Sequence, residues 1–131
     1  MNEGIELHDS ELIGIMISDG KAVVEFSSAY VHCSPGRPGV DAGSGWVQRA
    51  SLTFSNALLT SLPEEFPAAV SEGFLKIGGT LHDNLIPASG SFEGTIEISL
   101  LTKNADRLHI HGSHLSIQRY GKARYVEEFA P

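Results

Sequence analysis

One cysteine, few basic residues and no long apolar run are the first things missing from this chain of 131 residues. Cys33 alone excludes an intramolecular disulfide and a cysteine-rich zinc site. No apolar stretch approaches the roughly 20 residues of a membrane-spanning helix, so no membrane role is expected. Nine Lys+Arg against sixteen Asp+Glu leave a net charge of −7, which repels nucleic acid and anionic lipid. The opening segment carries Glu3, Glu6, Asp9 and Glu11 and no base, the reverse of a secretory or transit segment. With the lone thiol, this sets a reducing cytoplasm as the expected location. Also missing are a Gly-x-Ser-x-Gly elbow, a phosphate loop, a dinucleotide fingerprint and His-Glu-x-x-His. Glu64-Glu65 and Glu127-Glu128 are adjacent pairs, without the opposed placement of a two-carboxylate hydrolase.

Fourteen glycines and many short alternating segments point instead to an all-β chain, one domain over residues 1–131. The expected form is a β-sandwich or partly closed barrel of about seven or eight mostly antiparallel strands. Ile13, Ile15 and Ile17 alternate up to an Asp19-Gly20 hairpin signal. Residues 21–33 read as one strand whose phase flips at Ser27-Ser28, as a β-bulge would cause. Residues 34–45 hold four glycines and two prolines and read as a long loop. Residues 61–73 allow at most a turn or two of helix, and Gly78-Gly79 falls inside a strand. Phe92, Ile96, Ile98 and Leu100 oppose Glu93, Thr95, Glu97 and Ser99, one buried face against one wet face. A second phase flip is expected at Gly112-Ser113, and Tyr120-Gly121-Lys122 reads as a turn into a last strand. The expected core is Ile13, Ile15, Ile17, Val24, Phe26, Leu52, Phe54, Ile77, Ile96, Ile98, Ile110, Leu115 and Ile117. Leu7-His8-Asp9-Ser10 is echoed by Leu81-His82-Asp83-Asn84, and strand 21–32 by 107–118, which suggests an internal duplication.

His109, His111 and His114 are the only local cluster of metal-type ligands. The inferred bulge at Gly112-Ser113 turns all three away from the apolar face. Imidazoles at i and i+2 on a strand can share one divalent transition metal, with a carboxylate such as Glu93 or Glu97 as a further ligand. His-x-His on a strand resembles the cupin metal motif, but the Glu that should follow is absent: residues 115–118 are Leu, Ser, Ile and Gln. The competing reading is histidines facing solvent from a polar sheet face. His8-Asp9-Ser10 has the letters of a catalytic triad. Consecutive side chains diverge, though, so a strand-entry turn is expected there. Cys33 reads as a small half-buried hydrophobe, because its neighbour His32 points to the other face of a strand. Arg119, Lys122 and Arg124, interleaved with Tyr120 and Tyr125, read as charges protecting an edge or meeting a second copy.

The first functional expectation is therefore a small acidic binding module without catalytic chemistry and without a cofactor. Arg37, Asp41 and Trp46 would form its contact surface in the glycine-rich loop. A protein partner and homo-oligomerisation are expected. The alternative is a metal-binding barrel, or a metal-dependent enzyme, using His109, His111 and His114. The run Leu7-His8-Asp9-Ser10-Glu11-Leu12-Ile13, followed by a hairpin and a strand ending Ala29-Tyr30-Val31-His32, resembles small bacterial β-rich proteins. Some of these are immunity proteins of toxin systems. The resemblance covers about 26 residues and implies an acidic cytoplasmic factor that neutralises a protein partner, its charge steering it to a basic target.

Overall fold

The computed structural model describes residues 1–130, and among them there is no helix, and so none able to cross a membrane. The strands are β1 (Asn2–Ser18), β2 (Lys21–Ser34), β3 (Gly43–Ser55), β4 (Leu58–Ser61), β5 (Ala68–Ile77), β6 (Thr80–Asp83), β7 (Leu85–Pro87), β8 (Gly90–Thr102) and β9 (Arg107–Phe129). They form a single antiparallel sheet in the order β6-β5-β8-β9-β3-β2-β1-β7, with β4 added on β9. Leu12 and Glu11 of β1 pair with Ala68 and Ala69 of β5, so the sheet curls partly into a ring.

Turn chemistry sets the hairpins. Asp19 and Gly20 both take positive φ, 52° and 75°, the pattern of a two-residue turn whose twist matches its strands. Gly78-Gly79 is such a turn too, since Ile77 pairs with Thr80; the expected glycine-bearing strand is in fact the β5–β6 hairpin. No helical turn forms in the 61–73 segment: β5 starts at Ala68, straight after Pro67, and sends Ala68 and Val70 into the core.

Alternation then fills the interior. Val24, Phe26, Leu52, Phe54, Ile96, Ile98, Ile110, Leu115 and Ile117 are buried as expected. Each fully buried aliphatic or aromatic side chain contributes about 1.5–3 kcal/mol. β1 departs from expectation. It begins at Asn2, and its core residues are Ile5, Leu7 and Leu12, while Ile13 and Ile17 are 54% and 57% exposed. Ile15 and Ile77 are only partly buried. The cause is a set of register shifts against β2 between Glu6 and Gly14, which change the phase of a run that is apolar at adjacent positions. His8-Asp9-Ser10 lies in this irregular stretch rather than at a strand-entry turn. Ser10 Oγ donates to the Glu6 carbonyl at 2.7 Å and accepts from the Tyr30 amide at 3.0 Å.

The bulge expected at Ser27-Ser28 is present against β3. The turn expected at Tyr120-Gly121-Lys122 is not. β9 runs on to Phe129, and Gly121, at φ 69°, sits in a bulge between Tyr120 and Arg124. A left-handed glycine serves a bulge as well as a turn.

Candidate functional site

The outward face of β8 and β9 carries a grid of polar side chains beside the buried row. Inward alternation of Ile96, Ile98 and Leu100, and of Leu108 and Ile110, sends Glu97, Ser99, His109 and His111 outward. Register aligns them across strands. Glu97 pairs with Lys76 of β5, His111 of β9 and, through it, Leu58 of β4. One row away, Ser99 pairs with Phe74 and His109, and His109 with Ser61.

Glu97, His109 and His111 converge. Each offers a ligand atom, and the three atoms lie within 4.8 Å of one another. Glu97 Oε2 is 2.7 Å from His109 Nε2 and 3.8 Å from His111 Nε2. The two imidazoles meet edge to face with centroids 4.7 Å apart. All three residues are half-buried. The hydrogen bond from His109, followed by the nearby charge of His111 and Lys76, holds the Glu97 carboxyl below its ordinary value against the opposing effect of burial. Thr60 Oγ1 stands 2.5 Å from His109 Nδ1, a partner on the ring nitrogen that faces away from Glu97. Such a contact holds the ring's orientation, and because a hydroxyl both donates and accepts it serves either tautomer. Beside this cluster, Arg107 donates to Ser99 Oγ at 2.5 Å.

His114 does not join them. It faces outward as the phase flip requires, but an extra residue on β8, between Glu93 and Ile96 relative to β9, carries it to Ser91, whose Oγ is 2.8 Å from its Nε2. The same irregularity removes Glu93 from reach and leaves Glu97 as the carboxylate. A second group, Glu6, His8 and Asp9, has a single imidazole against the two of the first cluster. Asn84 Nδ2 lies 2.6 Å from His8 Nδ1, and Asp9 Oδ2 3.0 Å from Nε2. Asn84, which ends the echo of the His-Asp segment, therefore touches the first copy. Its interaction with that segment is not apparent from the sequence.

The glycine-rich loop is tied to itself. The Arg37 amide donates to Asp41 Oδ2 at 2.6 Å, and the two side chains pair at 3.8 Å. Gly39 N–H donates to Nδ1 of buried His32, which also stacks on Phe129. Trp46 is separate from both charges. Its Nε1 donates to Ser44 Oγ at 2.9 Å, and its ring meets Tyr125 edge-on. It borders an apolar cleft with Val31, Cys33 and Ala123, bridged by the Glu3–Arg119 ion pair at 2.8 Å. Burial and the Glu3 carboxylate push the Cys33 thiol up, away from a reactive thiolate. No family model, curated protein or solved structure matches the chain.

Proposed function

We propose that the protein is a binding module whose cargo is a divalent transition-metal ion, held by Glu97, His109 and His111. The observation that carries this reading is the convergence of two imidazole nitrogens on one carboxylate oxygen, at 2.7 and 3.8 Å. An ion with bonds of about 2.0–2.2 Å spaces neighbouring ligands ~2.9–3.4 Å apart, between the two separations found. Modest side-chain rotation therefore admits it. Two histidines and one carboxylate on one side of an ion leave its other positions open, the donor set of zinc and ferrous facial sites. Thr60 supplies the supporting contact. In the metal-free protein Nε2–H of His109 donates to Glu97; when an ion takes that proton's place, the Thr60 hydroxyl can turn from donor to acceptor of Nδ1–H, which leaves the Nε2 lone pair for the ion.

Native mass spectrometry of untagged protein with one equivalent of zinc tests the reading. One ion per chain is expected, removed by EDTA and lost in His109→Ala/His111→Ala. A double variant that keeps its ion at the same affinity would overturn it.

A further inference from the structure

A second polar concavity lies where two bulges meet on β3. β2 places Ser27 and Ser28 against the single residue Arg49, since Phe26 pairs with Ala50 and Ala29 with Gln48. β9 places Gly121, Lys122 and Ala123 against the single residue Gln48, since Tyr120 pairs with Arg49 and Arg124 with Val47. Extra residues on both flanking strands thus fall beside the same two positions. Bulges re-aim side chains, and here Ser27, Ser28, Gln48, Arg49, Lys122 and Arg124 line one dent. Gln48 Nε2 donates to the Gly121 carbonyl at 2.7 Å, which pins the β9 bulge. Ser27 Oγ is taken by Glu11 Oε1 at 2.8 Å, which leaves the Ser28 hydroxyl as the neutral donor.

The charge at this dent runs against that of the whole molecule. Sixteen acids are present against nine Lys+Arg. Yet among the described residues no carboxylate comes within 4.0 Å of the charged groups of Arg49, Lys122 or Arg124. Glu11 sits on Ser27 Oγ and Glu25 shares a neighbouring concavity with Arg49, but neither pairs directly with the three exposed cations, and an external anion meets the charge left over. We propose that this dent is a binding site for a single phosphate group, either inorganic phosphate or a phosphomonoester. Two guanidinium forks, one ammonium and one hydroxyl provide more donors than the two oxygens of a carboxylate can use, and they suit a dianion with three peripheral oxygens. A long polyanion is disfavoured by the net charge of −7, whereas one phosphate group meets only the local field. The site shares no residue with the metal cluster and stands or falls independently of it.

Backbone amide NMR on the metal-free full chain, at constant ionic strength, tests it with inorganic phosphate, O-phosphoserine and sodium chloride. Phosphate should give saturable shifts at Ser27–Ala29, Gln48–Arg49 and Gly121–Arg124, with a Kd of about 1 mM or tighter. Arg49→Gln/Arg124→Gln should weaken binding at least about tenfold, and Lys122→Gln less, each with an otherwise unchanged spectrum. Tighter binding of O-phosphoserine assigns the group to a phosphorylated partner, and tighter binding of inorganic phosphate to the free ion; both support the site. Shifts reproduced by chloride, or untouched in Arg49→Gln/Arg124→Gln, would overturn it.

Discussion

Thr60→Val isolates the contact behind the metal ligands without removing any of them. Valine matches threonine in shape and suits a strand, and Thr60 is exposed, so β4 keeps its pairing with β9. What is lost is the oxygen 2.5 Å from His109 Nδ1. Without it, the imidazole is free to rotate, and the Nδ1–H of the metal-bound form has no acceptor. Partners of this kind are worth about tenfold to hundredfold in metal affinity, or ~1.4–2.8 kcal/mol. Competition for zinc against a chromogenic chelator measures the change. The variant should still bind one ion per chain at an affinity reduced by that factor, and Thr60→Ser should recover most of the loss. Equal affinities for Thr60→Val and the parent protein would refute the argument that this hydroxyl orients His109.

Other perturbations test the frame around the site. Arg119→Gln removes the Glu3 partner: Arg119's hydrogen bond lowers the Glu3 carboxyl, with burial opposing. A carboxyl depressed in the folded state stabilises above its unfolded value, and that contribution is lost as pH falls through the folded one. The variant should thus be less stable near pH 7 by a few tenths to about 1 kcal/mol, given the pair's exposure, and urea denaturation should show the gap closing below the ordinary carboxylate range. Gly43→Ala would place a Cβ on the backbone carbonyl oxygen of Cys33, and thermal melts should report a loss of about 1–3 kcal/mol. Leu12→Ala should cost about 2–5 kcal/mol by chemical denaturation, against about 0.5 kcal/mol or less for Ile17→Ser; the reverse ranking would contradict the phase assigned to β1.

Strand content and nine of the buried core residues are legible in the sequence because β2, β3, β8 and β9 alternate regularly on either side of their phase flips. Leu12-Ile13 shows where legibility stops. Two adjacent apolar residues give either phase equal support, and only the shifts against β2 decide which one is buried. Gly121 poses a similar ambiguity, since one left-handed glycine serves a turn or a bulge, and pairing with β3 selects the bulge. At the metal cluster, His109-x-His111 is visible as spacing, and the outward orientation follows from Leu108 and Ile110. The choice of Glu97 over Glu93, and the departure of His114 to Ser91, depend on one extra residue of β8. Thr60 gives no sequence signal at all, because β4 reaches His109 only through tertiary pairing. The phosphate dent is equally hidden, because it arises from two bulges on different strands facing one point of β3.

The most direct test of the metal site is residue-resolved NMR of the histidine ring nitrogens during a zinc titration. At one equivalent, Nε2 of His109 and of His111 should take on metal-bound shifts, with His109 in its Nδ1–H form, while His8, His82 and His114 keep theirs. Absence of any change at His109 and His111, or a first response at His8 or His114, would contradict the assignment of the ion to Glu97, His109 and His111.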